Sequence, residues 1–377
     1  MCAQLRLRTV NEERTTSTNP ADVRGERIAR SPQWRDGRFR NTRPRVDGPW
    51  SRMMFEFFFR GSKFRKPSAP VPYEPRAAAD YATPPASGLR VTWLGHSTVL
   101  LEIDGRRVLI DPVWAERVGP VRALAPKRFY PPPLPLSELP PVDLVLLSHD
   151  HYDHLHRETI RALAARGERF VAPLGVGAHL ARWGVPETRV AECDWWESIA
   201  VDGLTLTATP ARHFSGRRAV DNDRTLWAGW AISGARHRVL YSGDTALHDD
   251  FAAIGARLGP FDLTMIEAGA YDALWADVHL GPEQAVRAHR LLGGGGAMLP
   301  VHWGLFDLAL HGWTEPVERV LAAAEGVRVL TPRPGELAEP STFVSARWWP
   351  DVPWQTAAEA PVRSTGTEHL MEPLPAR

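Results

Sequence analysis

The sequence predicts an α/β fold in which sheets pack inside helical layers. Short apolar strand-like runs begin at Leu89, the first of them are joined by hairpin turns, and the later ones alternate with amphipathic helical segments. Hairpins followed by strand–helix alternation are typical of mixed sheets covered by helices. Neither a G-x-G-x-x-G run nor a Walker loop occurs, so we do not expect a doubly wound dinucleotide-binding fold.

The charges of the chain are unevenly distributed although its 377 residues sum to a net charge of +1. Residues 1–66 carry 16 Arg or Lys and 7 Asp or Glu, a net charge of +9. Residues 67–377 carry 29 and 37, a net charge of −8. An opposite-sign division of this kind predicts a basic arm attached to a folded body.

Cysteine content and hydropathy restrict the compartment. The only cysteines are Cys2 and Cys193, which excludes a disulfide framework and fits a reducing environment. No apolar run approaches the roughly 18 residues of a membrane-spanning helix, and no apolar segment typical of a secretory signal follows the first basic residues. We therefore expect a cytoplasmic protein. The 42 Arg against 3 Lys suggest a bacterial source with a high-GC genome.

Residues 1–66 are expected to form a largely disordered basic arm, because their composition offers little apolar surface to bury. Its segment 51–66 is an exception, since a cluster of Phe and Met is bracketed there by Arg and Lys. Phe55, Phe58 and Arg60 are the candidates for contact with an anionic membrane surface. The alternative is that the Phe side chains pack against the body.

The remaining chain divides into a Pro/Ala-rich connector at 67–88 and a body at 89–377, whose end after about residue 355 is expected to be disordered. Apolar runs bounded by turn residues such as Asp104-Gly105 predict the strands, and amphipathic runs that end at glycines predict the helices. The predicted strands are 90–95, 97–103, 106–112, 142–148, 168–174, 203–210, 225–233, 237–244, 261–268, 297–303 and 327–332. The predicted helices are 156–167, 249–258, 281–292 and 315–324.

The strongest local motif is SHDHYDHLH, which follows the apolar strand 142–148 directly. It offers His149, His151, Asp153 and His154, whose imidazole nitrogens and carboxylate oxygens are ligands for divalent zinc, iron or manganese. Open α/β sheets place their active sites at such carboxyl ends of strands. In a tight loop the first two residues can point one way and the last two another, so one segment can serve two neighbouring metals.

Three further candidate ligands follow later strands: His213, Asp244 and His302. Each alone would more often be a core histidine or a turn aspartate. Together with the preceding motif they provide three nitrogen or oxygen ligands for each of two metals and one bridging carboxylate. Each metal keeps a position for water, as catalytic sites require.

In this order, H-x-H-x-D-H followed by His, Asp and His, the sequence resembles the metallo-β-lactamase superfamily. The resemblance implies an αββα four-layer sandwich with two divalent metal ions, most often zinc, in the cleft between its halves. By motif position the first metal would be held by His149, His151 and His213. The second would be held by Asp153, His154 and His302, with Asp244 bridging.

Additional motifs between Trp93 and Phe306 narrow the resemblance, among them WLGHSTVLLEIDG, APKRFYPPPLPLSELPPVDLVLLSHDHYDHL, DWWES, HLGPEQAVRAH and HWGLF. They are similar to the branch that contains N-acylphosphatidylethanolamine-hydrolysing phospholipase D and, more distantly, L-ascorbate-6-phosphate lactonases. Two residues depart from the mammalian phospholipase: Asp150 replaces Asn, with little expected effect, and Glu267 replaces Pro, which leaves the local pocket shape open.

The same resemblance points to residues beyond the metal ligands. His279 matches a histidine beside the substrate and would contact phosphate or protonate the leaving alkoxide, unless it only begins a helix. His96 and Asp111 are candidates for orienting a metal-bound histidine, and Asp111 could equally be a turn residue. Trp195 and Trp196 are expected in the core or the cleft wall, with acyl-chain contact as the alternative.

The function these residues favour is a phosphodiesterase of phospholipase D type, in which Asp153, Asp244 and His279 are catalytic and a hydroxide shared by two metals attacks phosphorus. The substrate would be a phospholipid or a small phosphorylated molecule. Two alternatives are a lactonase or ester hydrolase with the same site and a metallo-nuclease, which the negative body disfavours together with nucleic-acid binding. The oligomeric state is open, with a homodimer among the alternatives.

Overall fold

The computed structural model describes residues 19–372 except positions 47, 50, 51, 53, 54, 57, 58, 60 and 219. The helices are α1 (Pro20–Arg30), α2 (Arg157–Ala165), α3 (Gly177–Arg182), α4 (Asp250–Leu258), α5 (Pro282–Leu291) and α6 (Glu315–Ala323). The strands are β1 (Trp34–Arg35), β2 (Arg38–Phe39), β3 (Leu89–Gly95), β4 (Thr98–Ile103), β5 (Arg106–Ile110), β6 (Leu144–Leu146), β7 (Phe170–Pro173), β8 (Val190–Cys193), β9 (Ser198–Val201), β10 (Leu204–Thr209), β11 (Gly229–Ser233), β12 (Arg238–Tyr241), β13 (Leu263–Glu267), β14 (Ala297–Val301) and β15 (Leu337–Ala338).

Two mixed sheets form the centre of the body. One has the strand order β15-β3-β4-β5-β6-β7-β8, and the other has the order β14-β13-β12-β11-β10-β9. Neighbouring strands pair antiparallel from β15 to β5 and from β9 to β12, and parallel from β5 to β8 and from β12 to β14. The hairpins of the early chain and the strand–helix alternation of the later chain therefore supply the antiparallel and parallel parts of each sheet.

Three apolar clusters show how the layers pack. The central cluster joins residues of both sheets, such as Trp93 and Trp230, so the sheets face each other. The outer face of the first sheet packs Leu100 against helices α2 and α3, and the outer face of the second packs Leu240 against helices α4, α5 and α6. Because each sheet is covered on both faces, its strands are almost continuously apolar. The predicted αββα sandwich is confirmed.

All the predicted strands form except that at 327–332, which was wrong. Only Val329 makes a bridge there, to Met298. Two residues further on, Thr331 directs its hydrogen bonds to the C-terminal segment: its N–H donates to Ser345 Oγ at 3.1 Å, and its carbonyl accepts from Trp348 Nε1 at 3.2 Å. The sequence did not predict β1, β2, β8, β9 and β15. The first two form a separate two-stranded sheet, and the other three are short edge strands with little apolar periodicity.

The expectation of a largely disordered arm is wrong for the described residues from 19 onward. Helix α1 docks on the body through Arg24, which is 9% exposed and lies 2.6 Å from Glu187 and 2.5 Å from Glu192. Phe39, in strand β2, is fully buried. The composition predicted that the arm has little apolar surface to bury against the body. Ion pairs between the basic arm and the acidic body add to that small apolar contact.

The expectation of a disordered end is wrong for residues 356–372. Ser364 and Thr367 are buried, and Ser364 Oγ donates to the carbonyl of Ala276 at 2.7 Å. The N–H of Thr365 donates to Asp277 at 2.7 Å. Polar anchoring of this kind leaves no apolar periodicity in the sequence. Among the described residues, none of the helices combines the length and the apolar content needed to cross a bilayer.

Candidate metal centre

The predicted ligands meet in the cleft between the two sheets. The motif that contains His149 leaves the carboxyl end of β6 in the first sheet. His213, Asp244 and His302 follow β10, β12 and β14 of the second sheet. Because the two sheets face each other, loops that are far apart in sequence converge on one site.

The first cluster consists of His149, His151, His213 and Asp244, whose nearest nitrogen and oxygen atoms all lie within 4.8 Å of one another. His149 Nε2 lies 2.9 Å from His151 Nδ1, and His213 Nε2 lies 3.3 Å from the same atom. Three imidazoles and one carboxylate therefore surround one point, which is the donor set predicted for the first metal.

The second cluster consists of His96, Asp153, His154 and His302, again with one ligand atom each within 4.8 Å. Asp153 Oδ2 lies 3.5 Å from His154 Nε2 and 3.4 Å from His302 Nε2. His96 was expected to orient a metal-bound histidine, but its Nε2 instead pairs with Asp153 Oδ2 at 2.9 Å. Its ring centroid also lies 4.0 Å from that of His302, with the two rings tilted by 38°, so it borders the site directly.

Asp244, a member of the first cluster, also approaches the histidines of the second. Its Oδ2 is 3.1 Å from His154 Nε2 and 3.0 Å from His302 Nε2 on one side. On the other side it is 3.8 Å from His149 Nε2 and 3.9 Å from His213 Nε2. One carboxylate thus touches both groups of imidazoles, as the prediction of a bridging residue requires.

The unsatisfied atoms of the site test whether these residues fit a metal. Among the described residues, Asp244 Oδ1 is buried without a hydrogen-bond partner, and His154 Nε2 and His302 Nε2 have none in hydrogen-bond geometry although both lie near Asp244 Oδ2. Orphaned polar atoms are costly in a protein interior. Three of them aimed into one histidine- and carboxylate-rich cluster are explained if they donate lone pairs to cations. The donor set therefore fits divalent metal ions.

The pKa values of the histidines differ between the two clusters. Burial, aided by the neighbouring His154 and His151, lowers the pKa of His149 well below its ordinary value, so its imidazole stays neutral as a ligand must be. Burial by itself raises the pKa of Asp244, but the facing His154 and His302 outweigh it and hold that pKa well below its usual range. Burial by itself lowers the pKa of His302, but the facing Asp244 and Asp153 outweigh it and raise that pKa to about 10, so this imidazole must lose its proton before it can bind a metal ion.

Asp111 supports the second cluster from behind. This fully buried carboxylate lies 2.7 Å from His154 Nδ1 and accepts hydrogen bonds from Ser148 N at 2.8 Å and Tyr241 Oη at 2.5 Å. With Nδ1 occupied, His154 presents Nε2 to Asp244. Of the two roles that the sequence left open, the structure gives Asp111 the orienting one.

The sequence prediction missed Asn41, which holds the backbone of His213. Its Nδ2 donates to the carbonyl of His213 at 2.8 Å, and its Oδ1 accepts from the N–H of the same residue at 3.0 Å. Trp227 Nε1 also donates to that Oδ1, at 3.1 Å. No sequence signal could have selected one asparagine within a polar arm 172 residues away.

Glu267, noted in the sequence only as a departure from the related phospholipase, orients His279. Its Oε2 lies 2.9 Å from His279 Nδ1, and its Oε1 accepts from the N–H groups of Thr245 at 2.7 Å and Leu280 at 3.0 Å. His279 Nδ1 is also 4.0 Å from Asp244 Oδ2. His279 thus borders the site, and Glu267 leaves its Nε2 free for another partner.

Other predicted contacts are not brought to the cluster. Trp195 is 6% exposed and donates to the carbonyl of Trp227 within the central core, so the suggestion of substrate contact does not hold for it. Trp196 bridges two apolar clusters beneath the guanidinium of Arg257, whose carbon lies 4.5 Å from its ring. Both residues pack in the interior, which is the expectation from the sequence, and acyl-chain contact was its alternative.

Two candidates for membrane contact, Phe58 and Arg60, lie outside the described residues. Phe55 is described and is 52% exposed, and Phe59 is 75% exposed. Asp150, within the metal-binding motif, points away from the cluster: its carboxylate lies 3.1 Å from His179 Nε2 and accepts from Gly216 N at 2.8 Å. The aspartate found there in place of asparagine therefore does not enter the ligand set.

Comparison with known proteins shows to which family the chain belongs. A family model described as a β-lactamase superfamily domain matches residues 106–303. The chain belongs to the β-lactamase superfamily. Its relatives include an uncharacterized protein of Mycobacterium tuberculosis, which is 48% identical over 330 residues and covers 85% of this chain and 87% of that protein.

Other relatives of this superfamily member carry functional names. N-acyl-phosphatidylethanolamine-hydrolyzing phospholipase D 1 of Caenorhabditis elegans is 37% identical over 59% of this chain and 65% of the relative. A UPF0173 metal-dependent hydrolase of Methanopyrus kandleri is 30% identical over 67% of this chain and 100% of the relative.

Among solved structures, the isothiocyanate hydrolase from Delia radicum gut bacteria has a TM-score of 0.53 at 21% identity, over 66% of this chain and 98% of that one. At this identity the likeness concerns the fold alone. Family membership, fold and donor set together make this chain a metal-dependent hydrolase of the metallo-β-lactamase superfamily.

Proposed function

We propose that this hydrolase is a dinuclear phosphodiesterase of phospholipase D type that cleaves lipids resembling N-acyl phosphatidylethanolamine. The observation that carries the proposal is the position of Asp244, whose Oδ2 lies within 3.9 Å of imidazole nitrogens in both clusters. The substrate class is supported by the phospholipase D relatives of Caenorhabditis elegans and of Saccharomyces cerevisiae, the latter 30% identical over 62% of this chain and 51% of the relative.

His149, His151 and His213 would hold one ion, Asp153, His154 and His302 the other, and Asp244 would contact both. Zinc is our proposal for both ions, and iron or manganese accepts the same donor set. Bound divalent ions in such a pair supply activated water and neutralise charge on phosphate oxygens. The protein contributes a rigid donor set, since the side chains of Asp111 and Asn41 fix the ligands His154 and His213.

His279 is the residue that we propose to handle the leaving group. Glu267 accepts a hydrogen bond from its Nδ1–H, which sets the ring orientation, and the doubly protonated ring then donates the proton on Nε2 to the departing alkoxide. The His279 side chain is 14% exposed, whereas the carboxylate of Glu267 is fully buried. The histidine can therefore contact substrate while the carboxylate of Glu267 remains inaccessible to water.

Access to lipid is proposed to involve the segment 51–66. Phe55 and Phe59 are exposed with ring centroids 5.2 Å apart, and Arg52 and Lys66 are 63% and 72% exposed. Exposed aromatic rings beside cations favour binding at the interface of an anionic bilayer.

The test is a parallel assay of the metal-loaded protein on N-acyl phosphatidylethanolamine, a sugar-phosphate lactone and RNA, each with and without a chelator. We expect chelator-sensitive release of phosphatidic acid and N-acylethanolamine from the lipid. Turnover of the lactone with the lipid untouched would replace the phospholipase proposal by the lactonase alternative. Cleavage of RNA alone would favour a nuclease.

A further inference from the structure

A cationic cleft lies outside the metal centre, between the connector residues 66–70 and the loop 117–129. Its volume is about 670 Å³. Four of its lining side chains are cationic, and one is a carboxylate: Lys66, Arg117, Lys127, Arg128 and Asp307. None of the residues of the two histidine clusters lines it.

Arg128 is the unusual member of this lining. It is only 8% exposed, and its Nε and Nη1 have no hydrogen-bond partner within the described part of the chain. Burial without a facing carboxylate lowers the pKa of Arg128 to about 10. A buried guanidinium whose N–H groups lack acceptors lowers the stability of the fold unless an anion accepts hydrogen bonds from it.

The other charges of the cleft do not compensate Arg128. Asp307 is already engaged by Arg65 Nε at 2.8 Å, and Lys66 Nζ lies 3.6 Å from it. Arg117 Nη1 donates a hydrogen bond to the carbonyl of Ala125 at 2.7 Å. Lys127 Nζ lies 3.1 Å from Glu116 Oε1, but neither Arg117 nor Arg128 is paired with a carboxylate among the described residues, so these two arginines leave the cleft with excess positive charge.

The backbone around Arg128 is held on both sides. The N–H of Arg128 donates to the carbonyl of Glu116 at 2.9 Å, next to a bridge between Arg117 and Lys127. The N–H of Phe129 donates to the carbonyl of Leu305 at 2.9 Å, on the segment that follows strand β14. The guanidinium is therefore presented from a fixed frame, which reduces the entropy cost of binding a ligand.

We propose that this cleft is an anion-binding site for a phosphate group, with Arg128 as its principal contact. Guanidinium donors match phosphate oxygens in a planar, bidentate arrangement, and neighbouring cations add long-range attraction. The phosphate could belong to a lipid headgroup or to a free phosphate compound. The proposal goes beyond the hydrolytic reaction and does not depend on which substrate the metal centre takes.

The first experiment titrates inorganic phosphate into the metal-loaded protein by calorimetry. Arg128→Gln should weaken one binding event by about tenfold or more, as expected for lost charge-assisted hydrogen bonds. The matched control Arg236→Gln, which removes an exposed arginine elsewhere, should leave it unchanged. The event should also persist in Asp244→Asn. Phosphate bound by the metal ions would be lost in that variant, whereas phosphate bound in the cleft would remain.

A second arm separates the sources of phosphate by using phosphatidylcholine vesicles with and without phosphatidic acid. Binding to the acidic vesicles that Arg128→Gln reduces and free phosphate displaces identifies a lipid headgroup, whereas binding of free phosphate alone identifies a soluble ligand. Should Arg128→Gln fail to fold, Arg117→Gln with Lys127→Gln provides the same comparison. Phosphate affinity that is unchanged by these substitutions, or that disappears entirely in Asp244→Asn, overturns the proposal.

Discussion

Asp244 is the residue on which the two halves of the site depend. Its Oδ2 approaches four imidazoles, and its Oδ1 is buried without a hydrogen-bond partner among the described residues. Removing an outer partner of a metal ligand already costs about 10–100-fold in metal affinity or activity. Asp244→Asn should therefore lower turnover by more than about 100-fold, and metal analysis of the purified variant should show loss of metal.

Asp150→Asn is the matched control for Asp244→Asn. It makes the same chemical change in the metal-binding motif, but the side chain points to His179 and Gly216 instead of the cluster. We expect its metal content and turnover to stay close to those of the unmodified protein. Full activity in Asp244→Asn would contradict the shared-carboxylate assignment.

His279 lies close enough to Asp244 to be a ligand, yet we assign it to the leaving group. His279→Ala should lower lipid turnover by about 10²–10⁴-fold, the usual contribution of a positioned acid, while metal content stays unchanged. Glu267→Gln should cause a smaller loss, because His279 itself remains, although a single amide oxygen cannot accept both from Nδ1 and from the two N–H groups at Oε1. Loss of metal in His279→Ala would show that the histidine is a ligand instead.

At the scale of elements, the segment after strand β2 is part of the metal centre. The two hydrogen bonds of Asn41 to the backbone of His213 fix the loop that follows strand β10. Asn41→Ala should weaken metal affinity by about 10–100-fold, as for other outer-shell partners, which competition with a chromophoric chelator measures.

The control for Asn41→Ala lies two residues further along. Arg43→Ala removes an exposed ion pair between the same segment and Asp249, 2.6 Å long, without touching His213. Exposed pairs of this kind contribute little to stability, so metal affinity should be retained. Equal losses in the two variants would indicate that Asn41 only docks the segment.

The docking of the arm also changes how membrane contact must be tested. Deleting residues 1–66 would remove Asn41 and the buried Arg24 along with the aromatic segment, and would disturb the metal centre itself. Replacing Phe55 and Phe59 by Ser keeps the fold and removes exposed apolar surface. We expect weaker sedimentation with anionic vesicles at unchanged turnover of a detergent-dispersed substrate. Unchanged sedimentation would contradict a membrane role for these rings.

For the whole molecule, the metals should contribute to stability because they bind only the folded arrangement of ligands. At free metal about 100-fold above Kd, the gain is about 2.7 kcal/mol per site. Thermal unfolding with excess zinc should therefore give a higher Tm than unfolding with a chelator. Asp244→Asn should show a much smaller difference, and an equal difference would place the stabilising metal elsewhere.

The extent of prediction from sequence follows from the range of each interaction. The strands of the body and the helices α2, α4, α5 and α6 were predictable because local apolar periodicity reports burial. The edge strands were missed, and the strand expected at 327–332 does not form. In both cases strand pairing depends on which neighbour offers free N–H and carbonyl groups. The docking of α1 was missed because it relies on buried ion pairs 163 and 168 residues apart.

The sequence by itself determined the family and the αββα architecture and selected the seven candidate ligands, since motif spacing and strand ends are encoded locally. Only the tertiary structure decided that Asn41, Asp111 and Glu267 hold histidines of the candidate metal centre, and that Arg128 is left without a counter-charge. The physical reason is that hydrogen bonding and desolvation depend on atoms brought together by folding. A pattern of neighbouring residues carries no record of them.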